Sequence, residues 1–455
     1  MSDLSLIVKA YDVRGTVPDQ LNETVAEALG TAFAENVGGD RIVVARDMRE
    51  SGVGLVAAFI RGANAAGTDV IDTGLGSTDL LYYASGSLNL PGAMFTASHN
   101  PARYNGLKLC RAGARPIGQD SGLVEIRDRA QAILDGSAPS PASKRGDVQQ
   151  RDMLADYAAH LRTLVDLSGI RPLKVVVDAG NGMAGYTVPA VLDPAILPLT
   201  IVPLYFELDG SFPNHEANPL EPANLVDLQA AVREHGADLG LAFDGDADRC
   251  FAVDERGDAV SPSAITALVA TRELAKHPGS TIIHNVITSR AVPEIIAEHG
   301  GTAVRTRVGH SIIKAEMART GAIFGGEHSA HYYFRDFWFA DTGMLAAMHL
   351  LAALGGQPTP LSEFAAEYER YVASGEINST VDDQAARIAD VEKAFADRDG
   401  VTLDHLDGLT LMFADGSWAN LRPSNTEPLL RLNVEAATSA GMAQLRDEIL
   451  EIVRA

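Results

Sequence analysis

Short apolar runs recur along the chain and predict buried strands. They are Arg41-Ile42-Val43-Val44-Ala45, Asp69-Val70-Ile71, Ala93-Met94-Phe95, Lys174-Val175-Val176-Val177, Leu239-Gly240-Leu241-Ala242-Phe243, Thr281-Ile282-Ile283 and Ala303-Val304-Arg305. Helical stretches follow several of them, among them residues 53–66 and 224–235. Such alternation predicts α/β domains with mixed, largely parallel sheets. In such sheets ligands gather outside the carboxyl ends of the strands. Toward the C-terminus the pattern changes. Residues 408–413, the turn Ala414-Asp415-Gly416-Ser417 and residues 418–421 predict a hairpin. Another strand is expected at 430–434 and a closing amphipathic helix at 441–453. The expected architecture is three similar α/β domains at residues 1–145, 146–251 and 252–371, then a smaller α+β domain at 372–455. Residues 135–146, rich in Gly, Ser, Ala and Pro, read as a linker.

A chain of 455 residues is too long for one hydrophobic core, which fits several domains. Its 2 cysteines, Cys110 and Cys250, cannot form a disulfide framework and point to a reducing cytoplasm. The start, Met1-Ser2-Asp3, lacks the basic and apolar regions of a signal peptide. The longest nearly apolar segment, 344–354, contains His349 and is too short to span a bilayer. A net charge of −23 argues against a nucleic-acid surface, which needs clustered Lys and Arg. A small phosphorylated ligand remains possible if a local basic cluster captures it against the overall field. The position of each arginine therefore carries information.

Four stretches carry candidate chemistry. The run Gly92-Ala93-Met94-Phe95 ends in Thr96-Ala97-Ser98-His99-Asn100-Pro101, a strand entering a tight, exposed turn with Ser98 at its tip. A hydroxyl there can attack or carry a group; the plain alternative is a turn or capping serine. Asp244-Gly245-Asp246-Ala247-Asp248-Arg249 follows an apolar strand, and carboxylates at alternating positions of a near-extended turn point one way. Such an oxygen-only cluster suits Mg²⁺ or Ca²⁺. An EF-hand loop is its rival, with Glu255 twelfth, but Arg249 stands where that loop needs glycine. Arg422-Pro423-Ser424-Asn425-Thr426-Glu427-Pro428, with Arg431 beyond, offers guanidinium, hydroxyl and backbone donors for a phosphate dianion. Gly325-Gly326-Glu327-His328-Ser329-Ala330-His331 sets a carboxylate, a hydroxyl and an imidazole at alternating positions, fit for sugar hydroxyls. The alternative there is a zinc site from His328, His331 and Asp336, whose spacing lacks the usual cysteine or helical support.

Supporting stretches are Tyr11-Asp12-Val13-Arg14-Gly15, Arg46-Asp47-Met48-Arg49, Tyr104-Asn105-Gly106-Leu107-Lys108 and Arg307-Val308-Gly309-His310-Ser311. The cations of the first three, in the same domain as Ser98, could together offset a phosphoserine dianion, and the last is a strand-end turn offering a base and an arginine. Asp178-Ala179-Gly180-Asn181-Gly182-Met183-Ala184-Gly185, with Glu207 further on, has the form of a dinucleotide fingerprint. It keeps a nicotinamide-dependent sugar oxidoreductase open as another class of function, although Tyr186-Thr187-Val188-Pro189 shortens the helix a pyrophosphate would rest on. A sugar-phosphate binding protein without catalysis is the third class.

In this order the motifs resemble the α-D-phosphohexomutase family, phosphomannomutase and phosphoglucomutase in particular, over essentially the whole chain. Phe212-Pro213-Asn214-His215 leading to Asn218-Pro219 adds to the likeness. The resemblance implies four domains around a central cleft, each supplying one loop. It implies Ser98 as the phosphorylated serine, with Asp244, Asp246, Asp248 and a phosphoserine oxygen holding Mg²⁺. Arg14, Lys108 and Arg249 would lie near the transferring group, with Lys108 and His310 as proton-transfer candidates. Glu327 and Ser329 would grip sugar hydroxyls, alongside Tyr11, Arg307, Gly309 and His331 as further substrate contacts. Arg422, Ser424, Asn425, Thr426 and Arg431 would hold the phosphate that is not reacting. A hexose 1,6-bisphosphate would be intermediate and activator, and the partners small hexose phosphates, with a monomer or homodimer expected. The chain departs from relatives at Ala247 and Ala330, where glycine is frequent, and at Ile287, where some carry lysine.

Overall fold

The computed structural model describes residues 3–138, 140, 142–424 and 429–455. They form two compact units: one runs to Val260 and takes in Ser329–Ser362, the other comprises Ser261–His328 and Glu363–Ala455.

The first unit holds two mixed sheets. In one, strands Arg41–Arg46, Asp69–Leu75, Gly92–Phe95 and Val148–Gln150 run parallel. Tyr104–Arg111 and Val13–Thr16 extend it antiparallel. The parallel strands read as unbroken apolar runs because helices cover them: Ile42, Val43, Val44 and Ala45 are all buried. Helices Glu23–Val37 and Ser51–Ala65 pack on this sheet around Phe33, Phe59 and Phe95. The edge strand Val148–Gln150 carries this sheet past the expected division at 145. In the second sheet Leu173–Asp178 lies between Leu199–Leu204 and Leu239–Phe243, all parallel, and Cys250–Asp254 turns back antiparallel. A hairpin, Tyr332–Phe334 and Ala340–Asp341, and the buried helix Gly343–Gly355 complete the unit.

In the second unit Thr281–Asn285 lies parallel between Thr302–Thr306 and Phe324–Gly326. An antiparallel sheet follows in the order Val372–Thr380, Leu429–Ala436, Trp418–Pro423, Leu409–Phe413, Val401–Asp404. Its hairpin and its last helix, Ser439–Val453, match the sequence pattern. Helices Gln384–Phe395 and Ser439–Val453 bury Phe395, Leu411, Leu421, Leu432 and Ile449 against it. No helix among the described residues is long and apolar enough to cross a membrane.

Candidate active site

The register of one hairpin brings the first groups together. Gly92–Phe95 pairs with Tyr104–Arg111 so that Met94 faces Lys108 and Phe95 faces Leu107. The turn between them carries Ser98. Contrary to the exposed tip expected from sequence, Ser98 is only 3% exposed, because the metal loop covers it. Its backbone is left-handed, φ +50°, an arrangement that costs an L-residue about 1–2 kcal/mol. Thr96 Oγ1 accepts from the Ser98 amide at 2.9 Å. Ser98 Oγ donates to Asp244 Oδ2 at 2.7 Å and lies 3.2 Å from His99 Nδ1. Gly245 permits this approach, since a Cβ there would stand 2.5 Å from the Ser98 carbonyl oxygen.

Asp244, Asp246 and Asp248 are buried at the end of the strand Leu239–Phe243. They converge through a tight turn rather than the extended alternation expected: the Ala247 amide donates to Asp244 O at 3.0 Å, and Ala247 has φ +59°. One oxygen from each carboxylate lies within 4.8 Å of the others. Asp246 Oδ1 and Asp248 Oδ1 are buried without a hydrogen-bond partner among the described residues. Lys108 Nζ donates to Asp246 Oδ2 at 2.7 Å and to Asp248 Oδ2 at 2.5 Å. Arg249 Nε donates to Asp244 Oδ2 at 2.9 Å. Orphaned oxygens in an oxygen-only set of like charges fit a hard divalent cation.

The electrostatics follow from burial and pairing. Burial pushes Asp244 up to about 7, against the pull of Arg249. At Asp246 burial acts the same way but is outweighed by Lys108 and by the Thr78 hydroxyl, so its carboxyl sits well below the usual range. Burial works against the Lys108 charge, yet Asp246 and Asp248 hold its ammonium above the ordinary lysine range. Burial, then the charges of Arg249 and Arg14, keeps His99 neutral.

The competing readings meet particular obstacles. Glu255 accepts from the Ser362 amide at 3.0 Å, so it closes no EF-hand loop. His328 Nδ1 lies 3.1 Å from Ser263 Oγ, and Asp336 pairs with Arg335 at 2.9 Å. Neither joins a metal-ligating group among the described residues. The fingerprint glycines serve packing: a Cβ on Gly182 would be 2.8 Å from Gly245 O, and one on Gly185 2.2 Å from Phe206 O. The Met183 amide donates to Gly245 O at 2.9 Å, so this turn braces the metal loop.

Of the other expected residues, Arg14 donates to Asp12 at 2.9 Å and also reaches Asn100. Tyr11 is half-buried beside Asp12. Ser329 Oγ lies 3.1 Å from His331 Nδ1, and His331 Nε2 lies 3.8 Å from Asp248 Oδ1, so this histidine faces the metal loop. In the second unit Glu327 is buried and accepts from Asn285 Nδ2 at 3.0 Å and from the Gly309 amide at 3.3 Å. Arg307 is exposed at the end of its strand. Helix His310–Thr320 starts at His310, whose side chain lies outside the described part. Arg422 Nη2 donates to Glu376 at 2.7 Å, Arg431 Nη1 is 3.3 Å from the same carboxylate, and Arg431 Nη2 is 3.4 Å from Ser424 Oγ. Asn425 and Thr426 lie outside the described residues.

Sequence reasoning missed several groups. Thr78 Oγ1 donates to Asp246 Oδ2 at 2.6 Å, and its amide donates to Asp246 O at 3.0 Å. Beside it, buried Asp79 accepts from Tyr157 at 2.7 Å and from Thr342 at 2.6 Å. Glu376 was missed too. No motif marks these residues; the packing of segments distant in sequence brings them in. Ala247 and Ala330, where glycine is frequent in relatives, are both left-handed here, at φ +59° and +64°.

Models of the phosphoglucomutase/phosphomannomutase family match the chain in four consecutive pieces. Alpha/beta/alpha domains I, II and III cover residues 5–135, 155–257 and 261–371, and the C-terminal domain covers 376–452. The chain belongs to this family. It is therefore an enzyme, an isomerase of the phosphohexose mutase type, with the family's four-domain α/β architecture. Among its relatives is a phosphomannomutase of Salmonella montevideo, 41% identical over 453 residues and 98% of each chain. A phosphomannomutase of Escherichia coli K12 is 39% identical over 447 residues, 97% of each. A protein of Xanthomonas campestris named phosphohexose mutases is 41% identical over 450 residues, 98% of each. A crystal structure of a family member from Burkholderia thailandensis superposes with TM-score 0.89 at 33% identity, covering 100% of this chain and 98% of that one. The family's third segment, 261–371, is divided here between the two compact units.

Proposed function

We propose that this phosphohexose mutase interconverts mannose 6-phosphate and mannose 1-phosphate through a phosphoryl group carried on Ser98. The observation that carries the reading is the Ser98 hydroxyl, buried and 2.7 Å from a carboxylate of a three-aspartate loop. The names of the Salmonella and Escherichia relatives support mannose as the sugar. Phosphoserine 98 gives its phosphoryl group to the free sugar hydroxyl: the bond to Ser98 Oγ breaks and one to the sugar oxygen forms. The hydroxyl proton leaves to a base, and a proton returns to Ser98 Oγ. The bound hexose 1,6-bisphosphate then turns end for end, and its other phosphate returns to Ser98. Such transfers need alignment and charge neutralisation more than covalent help. Mg²⁺ held by Asp244, Asp246 and Asp248 would supply much of that neutralisation. Lys108 and Arg249 add positive charge at the same carboxylates, and Arg14 holds Asn100 of the serine's turn. The Lys108 ammonium, held charged by Asp246 and Asp248, is a candidate proton donor, and the base is His310, with neutral His99 beside Ser98 Oγ a further candidate. Glu327, Ser329 and His331 with Tyr11, Arg307 and Gly309 serve the sugar. Arg422, Ser424, Asn425, Thr426 and Arg431 serve the distant phosphate.

A coupled assay with mannose 1-phosphate, glucose 1-phosphate and glucosamine 1-phosphate, each with catalytic bisphosphate, tests the sugar. The highest kcat/KM is expected with mannose 1-phosphate. Equal values for mannose and glucose would replace this reading with a dual-specificity mutase, as the name of the Xanthomonas relative suggests.

A further inference from the structure

The segment Asp47-Met48-Arg49 follows the strand Arg41–Arg46, and the reaction as proposed gives it no part. Arg49 is 1% exposed. A free cation so near the reacting serine would face phosphate, but all five of its N–H donors are engaged elsewhere. Nη2 donates to the carbonyls of Ser98 at 2.9 Å and Asn100 at 2.6 Å. Nη1 donates to those of Pro101 at 3.0 Å and Tyr104 at 2.9 Å. Nε donates to Asp47 at 3.2 Å, and the same carboxylate accepts from the Arg49 amide at 2.9 Å. The Phe212 ring lies 5.1 Å from the guanidinium carbon, within cation–π range. Gly210 packs so closely that a Cβ there would be 2.7 Å from Arg49 Cα.

One side chain thus satisfies four carbonyls of the turn that presents Ser98, and the loop preceding Asn214-His215 supports that side chain. The Pro101 carbonyl also accepts from the Tyr104 amide at 3.0 Å; a carbonyl such as that of buried Ser98, left bare, would cost about 1–3 kcal/mol. A left-handed, non-glycine backbone at Ser98 persists only where its surroundings over-determine it. Arg49 makes four of the contacts that do so. The planar fork is required, since a lysine has three donors on one atom and cannot span four carbonyls.

We infer that Arg49 is the positioning residue of the phosphoryl-carrying serine, fixing the turn from behind so that Ser98 Oγ meets its acceptor in line. The inference rests on the proposed role of Ser98. A displacement of about 1 Å at a reacting atom can cost about a hundredfold in rate. Because Arg49 touches no substrate group, its loss acts on kcat and leaves KM in place.

The test compares wild type, Arg49→Lys and Phe212→Leu in three measurements: thermal melting, steady-state kcat and KM, and the rate at which glucose 1,6-bisphosphate phosphorylates the protein, read by quenched intact-mass spectrometry. For R49K, kcat and the phosphorylation rate fall roughly 30- to 100-fold per folded molecule, with KM within about threefold. F212L keeps every donor and removes only the supporting ring; the same split appears at about threefold. It carries the test alone if R49K does not fold. Wild-type kcat and phosphorylation rate in folded R49K, or in F212L if R49K does not fold, overturn the inference. So does a loss that merely tracks the unfolded fraction. Wild-type protein that turns over without ever gaining a phosphoryl group overturns the Ser98 reading itself, which separates the two failures.

Discussion

Around Ser98 the charges are buried and already paired: Asp47 with Arg49, Asp244 with Arg249, Asp246 and Asp248 with Lys108. Around Arg422 the described pairs are more exposed. Arg422 and Arg431 share the single carboxylate of Glu376, which is 30% exposed, as is Arg431 itself. Buried pairs in a poorly polarisable interior are strongly coupled and hold one geometry. Half-exposed pairs are weak and exchange readily with an incoming anion. The contrast suits a mutase: the reacting group needs one alignment, whereas the distant phosphate arrives on either end of the sugar. On the proposed function, the tighter pairing lies where the phosphoryl group would move and the more exposed pairing where the distant phosphate would bind.

The largest expected effect breaks the first region alone. Ser98→Ala should lower kcat by about 10⁴-fold or more, the scale on which loss of a nucleophile acts. Substrate affinity, measured by calorimetry, should change little. Near-normal turnover in this variant would remove the covalent scheme.

Acid should act with opposite sign at two buried groups. Burial holds His284, in the second unit, down at about 4 from an ordinary 6.5. As pH falls below 6.5 the unfolded chain takes up a proton that the folded one refuses, so stability drops by about 3 kcal/mol on reaching pH 4. Burial raises Asp79, in the first unit, from an ordinary 3.8 to about 6, despite donors from Ser77, Thr342 and Tyr157. There the folded chain binds the proton more tightly, so stability rises by a similar amount as pH falls from above 6 toward 3.8. Hydrogen exchange from pH 7.5 to 4.5 should show the amides around His284 losing protection and those around Asp79 keeping it. His284→Asn, which can still donate to Asn285 O, should abolish that loss; an acid response unaltered in the variant contradicts the assignment.

Arg422→Ala should raise KM roughly 10- to 100-fold, the worth of a charge-assisted hydrogen bond, with a smaller fall in kcat. An unchanged KM would remove the phosphate-loop role. The smallest effect sharpens the first region. Thr78→Val keeps the shape but deletes the hydroxyl that holds Asp246, and should weaken Mn²⁺ binding about tenfold by titration calorimetry. Unaltered affinity would make Thr78 a packing residue only.

The strands Arg41–Arg46, Leu173–Asp178 and Leu239–Phe243 were legible because sheets covered on both faces leave continuous apolar runs. The strand Tyr104–Arg111 was not, since Asn105, Lys108 and Arg111 interrupt its apolar positions and it read as a supply of cations. The aspartate loop was evident from composition and spacing. Its geometry was not, because a tight turn at left-handed Ala247 gathers the carboxylates. Arg49 stood in the sequence as one more cation; its partners are main-chain carbonyls, which no side-chain pattern encodes. Thr78 lies 168 residues from the aspartate it supports, a pairing created by the packing of two separate sheets.

The central claim is that Ser98 carries the phosphoryl group between the two halves of the reaction. Active protein incubated with glucose 1,6-bisphosphate, digested and fragmented by tandem mass spectrometry, tests it most directly. The account predicts one phosphoryl unit, placed on Ser98 and discharged when mannose 6-phosphate is added. A phosphoryl group on any other residue, or none during sustained turnover, would contradict it.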